Sequence, residues 1–300
     1  MGNCMHRHKI KGVKHIIVVA SGKGGVGKST VAANLAVTLA RDGYRTALVD
    51  ADIYGPSMPK MFGIENEKLM TAPEAGPDMM TPIEKYGIKI NSIGLMVDNA
   101  QAIIWRGPLA ANALDMLFKN TVWGDIDYMI VDFPPGTGDI QISTLQKYKV
   151  SAAIVVTTPQ VIAVNDARKG ADMFAADKMN VPLLGIVENM SWFTPAAHPE
   201  EKYYIFGQGG GQALADEFHT RLLAQIPLVQ EVGTSSEKGC SIWEMQNSTG
   251  GEIVGGQFFE LARVVTEEIN GEEPDDECCD EGECCETECD HDCSNCKHKK

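Results

Sequence analysis

The sequence predicts an α/β protein with a doubly wound, mostly parallel sheet. Three observations carry that expectation. Short runs rich in Val and Ile, without polar alternation, recur from residue 15 to about residue 270, as do strands buried on both faces of a parallel sheet. Stretches of helical period separate these runs, in the strand–helix alternation of such folds. A glycine-rich turn stands between the first run and the first helical stretch, at the strand end where α/β sheets bind ligands.

In chain order, "HIIVVA" (15–20) predicts the first strand and "STVAANLAVTLARDG" (29–43) the first helix, with Gly43 as its stop. "RTALVD" (45–50) is the second strand. The segment 67–87, "EKLMTAPEAGPDMMTPIEKYG", breaks the rhythm, and its Pro, Gly and Met content predicts an irregular surface excursion. "IKINSIGL" (88–95) returns to the sheet, and "GPLAANALDMLFKN" (107–120) predicts a helix with Pro108 in its first turn. Further strands are expected at 128–133, 151–158, 183–189 and 222–228, and a last helix at 255–270. The organisation is thus a flexible N-terminus (1–11), one domain (12–271) and a tail (272–300). The tail has no aliphatic or aromatic residue, so it is expected to be disordered unless a metal organises it.

Of the 300 residues, 44% are hydrophobic and 22% charged, enough for a sizeable core. The formal net charge of −15 is concentrated in the tail, where twelve acids face three lysines; this −9 leaves −6 for the remainder. No global positive field exists to attract nucleic acid or an anionic membrane. No apolar run approaches the roughly 20 residues that span a bilayer. "MGNCMHRHKIKGVKH" lacks the apolar core of a signal peptide, so a soluble, cytoplasmic protein is expected. Of nine cysteines, Cys4 and Cys240 stand alone and seven lie in the tail. In a reducing compartment such a cluster is read as metal ligands or redox thiols. Cys240, in "EKGCSIW", is expected as a small buried hydrophobe.

The glycine-rich turn carries the chemistry. Gly22-Lys23-Gly24-Gly25-Val26-Gly27-Lys28-Ser29, followed by Thr30, satisfies G-x-x-x-x-G-K-[ST] between a strand and a helix. Glycines let backbone N–H groups turn inward as an anion nest, and the helix N-terminus adds its positive end. ATP is the expected ligand. Lys28 would neutralise β- and γ-phosphate charge, and Ser29 would ligate Mg²⁺. "VDADIYGPS" (49–57) places Asp50 and Asp52 at a strand end, and "IVDFPPGTGD" (130–139) places Asp132 at another. Asp132 is the carboxylate expected to reach Mg²⁺ through water. Gly136 to Asp139 is expected to form a flexible loop that senses the γ-phosphate.

A second lysine, Lys23, sits inside the loop, where folding back onto its own phosphates would crowd Lys28. Two readings stand: a cation that acts across a homodimer interface on the partner's nucleotide, or an exposed solubilising lysine.

"GKGGVGKST" with Lys23 resembles the deviant Walker A loop of the MinD, ParA and nitrogenase-iron-protein class. Together with "VDADIYGPS", "VDFPPGTGD", "TTPQ", "ENMS" and "IFGQGGG", it is similar to the Mrp (ApbC-like) iron–sulfur cluster carrier ATPases over about residues 12–265. The resemblance implies a SIMIBI-type P-loop NTPase fold and an ATP-binding homodimer with slow hydrolysis. It further implies delivery of iron–sulfur clusters to apo-protein clients. Lys23 would act in trans, Asp52 would help position water or Mg²⁺, and Asn189 of "ENMS" would contact adenine.

The resemblance also implies a C-P-x-C pair after "ENMS". Here Pro195 and His198 stand in those places. His198 is either a ligand or a solvated surface side chain. The tail offers thiolates instead, the usual ligands of a four-iron cluster: Cys289, Cys293 and Cys296 in "CDHDCSNC", with adjacent pairs upstream. Zinc would accept the same groups, with His291 or His298. An iron–sulfur cluster, zinc or another soft metal, and no metal at all remain open for the tail.

Three other functions compete. A MinD/ParA-type positioning switch would want a membrane helix or a basic patch, and the tail is acidic. A nitrogenase-iron-protein-like reductase needs two cysteines in the body, where only Cys240 follows the N-terminus. The third is a metal buffer with a residual ATPase.

Overall fold

The computed structural model describes residues 7–96 and 107–271, apart from 177, 196, 199 and 246. Chain order is β1 (Val13–Ser21), α1 (Lys28–Arg41), β2 (Thr46–Asp50), α2 (Met58–Met61), β3 (Met70–Thr71), β4 (Met80–Thr81), β5 (Ile83–Lys85) and β6 (Ile88–Ser92). It continues with α3 (Ile93–Met96), α4 (Gly107–Lys119), β7 (Ile126–Asp132), α5 (Asp139–Lys147), β8 (Ala152–Thr157), α6 (Val161–Ala175) and β9 (Leu183–Phe193). α7 (Gly210–Glu217), β10 (Arg221–Leu228), α8 (Gln230–Lys238) and α9 (Thr249–Gly271) complete it.

Eight strands form one sheet in the order β10-β9-β8-β1-β7-β2-β6-β5. Every pairing is parallel except that of β5 with β6. The expected doubly wound sheet is therefore present. Side chains of β1 alternate between its two faces: Ile17 and Val19 pack with α1 and α9, whereas Ile16, Val18 and Ala20 pack with α4 and α6. Both faces are covered, which explains why the strands read as unbroken apolar runs.

Two expectations need correction. The run 88–95 stays in the sheet only to Ser92, because Ile93 begins a short helix. The excursion 67–87 is less irregular than its composition suggests. β3 pairs with β4, and β5 folds back onto β6 as an antiparallel edge strand. Tyr86 and Gly87 at that turn both take positive φ, 52° and 78°. α1 ends at Arg41, and Gly43 follows with φ 92°, the left-handed stop expected there.

Candidate functional site

Register sets the site before any side chain does. β7 lies between β1 and β2, pairing Val19 with Asp132 and Asp50 with Asp132. Three parallel strands thus deliver the end of β1 and two carboxylates to one edge. Beyond Ser21 the chain runs through Gly22–Gly27 and enters α1 at Lys28.

The glycines of this loop have separate physical reasons. A Cβ on Gly22 would lie 2.0 Å from the Asp166 carbonyl carbon and 2.3 Å from the Ala167 nitrogen, so the loop passes flush against α6. Gly27 has φ 81°, and a Cβ there would meet Asn189 Nδ2 at 2.1 Å. Gly25 also has positive φ, 82°, but it and Gly24 face open space. The loop is therefore clamped at both ends and open in the middle, a cradle that a ligand can enter.

Lys28 is only 6% exposed. Its Nζ donates to Asp132 Oδ1 at 2.5 Å and stands 3.7 Å from Asp52 Oδ2 and 3.3 Å from Ser29 Oγ. Asp132 is fully buried, and its Oδ2 has no hydrogen-bond partner among the described residues. Burial pushes the Asp132 carboxyl above the ordinary carboxylate range, an effect that Lys28 opposes. Asp52 is raised for the same reason and opposed by the same lysine. Burial and the neighbouring Asp132 push Asp50 up to about 7. Its carboxylate accepts from the Ser57 and Met58 amides, both at 3.1 Å, and from Ser92 Oγ at 2.8 Å. Asp50 is thus the bracket of the loop that carries Asp52, a role its position in "VDAD" does not disclose.

The other expected residues lie around this centre. Ser29 and Thr30 open α1 beside Lys28, half-buried. Val26 is buried, and its carbonyl accepts from Asn189 Nδ2 at 2.9 Å. Asn189 therefore touches the loop itself. Lys23 is half-buried and makes no ion pair among the described residues; its carbonyl accepts from Ser21 Oγ at 2.9 Å. The segment 136–139 is braced rather than loose. Gln141 Oε1 accepts from Gly138 N at 2.7 Å, and Gln141 Nε2 donates to the carbonyls of Pro134 and Gly136 at 2.8 and 2.9 Å.

His198 lies beyond β9 with Glu200 and Glu201; one ligand atom from each falls within 4.8 Å of the others. His198 and Glu200 are exposed and Glu201 is half-buried, His198 Nδ1 being 3.7 Å from Glu200 Oε1. Cys240 is half-buried rather than buried, and burial raises its thiol. The expected cargo thiolates Cys289, Cys293 and Cys296 lie outside the described residues, as do Cys4 and the expected disorder of the tail. Sequence reasoning missed Glu188, buried beside Asn189; its only signal was a charged residue at the end of an apolar strand.

A parallel sheet, a glycine loop flush with a helix N-terminus, and a buried lysine paired to a strand-end aspartate define a P-loop nucleotide-binding protein. The chain belongs to the ParA family of NUBPL-type iron-transfer P-loop NTPases, which matches residues 12–262. It is 44% identical to the iron-sulfur cluster carrier protein of Aquifex aeolicus, over 88% of this chain and 70% of that one. It is 50% identical to the protein of the same name in Escherichia coli K12, over 77% of this chain. The chain spans only 61% of that relative's length. Among solved structures it is similar to a nucleotide-binding protein in complex with ADP from Archaeoglobus fulgidus. That likeness has a TM-score of 0.66 and 32% identity, covering 82% of this chain and 92% of that one. Among the described residues no helix is long and apolar enough to cross a membrane.

Proposed function

We propose that this chain is an ATP-hydrolysing homodimer that binds iron–sulfur clusters and passes them to apo-proteins in the cytoplasm. The observation that carries the nucleotide half is the buried Lys28–Asp132 pair at the mouth of the open glycine loop. A buried cation held by two carboxylates is poised to exchange one anionic partner for another, because each state keeps it paired. Phosphate on the loop would take Lys28 and free Asp132. The unpartnered Oδ2 of Asp132 and the adjacent Ser29 hydroxyl fit a hydrated divalent cation. Ser29 and Asp132 are the residues that would hold Mg²⁺, which when bound supplies positive charge against the phosphates.

The backbone of Gly22, Lys23, Gly24, Gly25, Val26 and Gly27 would cradle the phosphates, with the N–H groups of Lys28, Ser29 and Thr30 at the start of α1. Asn189 would meet the adenine. Asp52 would orient the attacking water, whose oxygen displaces the β–γ bridging oxygen to yield ADP and phosphate. Lys23 would stabilise the departing charge on the partner protomer's nucleotide.

The cargo half is supported by the names of the relatives and by the tail thiols. The iron–sulfur cluster is cargo, and Cys289, Cys293 and Cys296 are its proposed ligands, a four-iron cluster suiting thiolates. The test is anaerobic reconstitution of the full chain beside a Cys293→Ser, Cys296→Ser double variant, with iron, sulfide and zinc analysis and visible absorption. The double variant is expected to lose most iron and sulfide. Unchanged iron content overturns the tail as the cargo site, and zinc in place of iron in the unaltered chain favours a metal buffer.

A further inference from the structure

Glu188 is 1% exposed, and among the described residues no lysine or arginine pairs with it. A buried carboxylate without a counter-ion is costly unless hydrogen bonds replace the lost water. Three do so. Ser191 Oγ donates to Oε1 at 2.7 Å, Gln225 Nε2 to Oε1 at 2.9 Å, and Gly211 N to Oε2 at 2.6 Å. All three donors are neutral, and Gly211 belongs to the first turn of α7, whose positive end favours an acid there.

What matters is where the donors come from. Ser191 lies near the end of β9, which runs on to Phe193, and Gly211 lies in α7, where the chain returns. Gln225 is the register partner of Glu188 on β10. One carboxylate therefore links the two ends of the excursion from Trp192 to Gly210, which Phe193 and Tyr203 also tie internally through a pair of backbone hydrogen bonds. A Cβ on Gly211 would lie 2.8 Å from Glu188 Cβ, so the returning chain is drawn against the acid as closely as glycine permits.

The next residue along is Asn189, whose Nδ2 donates to Val26 O in the phosphate loop. Met190 follows with φ 55°, a left-handed conformation rare for a non-glycine residue. Such strain persists only where the surroundings over-determine it. Here Glu188 pins one side of the strained residue and its bond from Ser191 pins the other.

We infer that Glu188 is a positioning residue that holds Asn189 against the phosphate loop and closes the 192–210 excursion, coupling nucleotide occupancy to the order of that excursion. The inference rests on the reading that Asn189 meets the nucleotide. Coupling is reciprocal: if nucleotide tightens the excursion, loosening the excursion weakens nucleotide. Glu188→Gln turns one acceptor oxygen into a donor facing other donors.

The excursion contains one tryptic site, Lys202, which is exposed with its Nζ 4.1 Å from the Trp192 ring centroid. The experiment measures equilibrium binding of a fluorescent ADP analogue, the turnover number at saturating ATP, and the rate of tryptic cleavage after Lys202 with and without ADP. In the unaltered full chain, ADP is expected to slow that cleavage. Glu188→Gln is expected to weaken ADP binding about tenfold, the scale of one lost charge-assisted hydrogen bond. Turnover at saturation stays within about twofold, and ADP no longer protects Lys202. Unchanged affinity, or weakened affinity with full ADP protection of Lys202, overturns the inference.

Should Glu188→Gln not fold, the Ser191→Ala, Gln225→Ala pair removes two donors and leaves the carboxylate, and intact protection there overturns the inference equally. If the unaltered chain binds no ADP, the nucleotide reading itself fails. The clasp is then read from Lys202 alone: faster cleavage in Glu188→Gln supports it, and an equal rate overturns it.

Discussion

The phosphate loop and the 192–210 excursion occupy the same edge of one sheet, yet they are built on opposite principles. The loop buries its charges. Lys28 and Asp132 are paired out of solvent, and Gly22 and Gly27 are fixed by contacts that admit no side chain. The excursion exposes most of its described polar side chains, including His198 and Lys202, and is tied at its two ends through Glu188 and internally by the backbone pair Phe193–Tyr203. A buried charge restricts which residue can stand there, because any replacement leaves its partner unpaired. A solvated side chain carries no such restriction. The first region is thus a motif readable residue by residue, whereas the second places few such restrictions on its exposed residues.

Lys28→Ala is the largest break. It removes the cation from two buried carboxylates and from the phosphates together, so ATP affinity is expected to fall by more than about 100-fold. Equilibrium binding near the unaltered value would show that the open loop is not the nucleotide site.

Gly22→Ala and Gly24→Ala sharpen the contrast within the loop itself. The first drives a methyl group into the α6 backbone and is expected to lower stability by about 2 kcal/mol or more. The second meets open space and should be near neutral in denaturant unfolding. Equal midpoints for the two variants would contradict the close approach at Gly22.

Lys23→Ala tests whether the unpaired lysine works across a dimer. ATP binding should stay within about twofold while hydrolysis falls roughly tenfold, less than the loss of a cationic finger from a fast NTPase. A loss of affinity matching that of Lys28→Ala would place Lys23 on its own protomer's phosphates instead.

The smallest effect lies away from both regions, at the far end of β7. Asp127 accepts from Arg45 Nε, Nη2 and backbone N and pairs with Lys14, and these contacts hold its carboxyl well below the usual range. A depressed acid contributes stability above its unfolded pKa of about 4 and loses it as pH falls through the lower folded value. Asp127→Asn should lower Tm by about 2 °C at pH 7, the scale of a mostly solvent-screened pair. The gap from the unaltered chain should narrow below pH 4, and a gap independent of pH would exclude the ion pair as its cause.

Several features were legible from residues 15 to 271 without coordinates. Apolar runs disclosed seven of the sheet's strands because parallel strands are buried on both faces, and G-x-x-x-x-G-K-S disclosed the phosphate loop because its spacing is set by backbone geometry. The helix stop at Gly43 was visible for a similar local reason: the signal lies next to the structure it ends. The edge strand β5 was missed because three residues carry no periodicity. Strand order, by contrast, is a relation among segments as far apart as Ile17 and Ala152, and only the folded sheet sets Asp132 beside Asp50 and brings Asp132 to Lys28. The same holds for Glu188, whose donors arrive from Ser191, Gly211 and Gln225. Its sequence neighbours disclose one of them, and packing decides the other two.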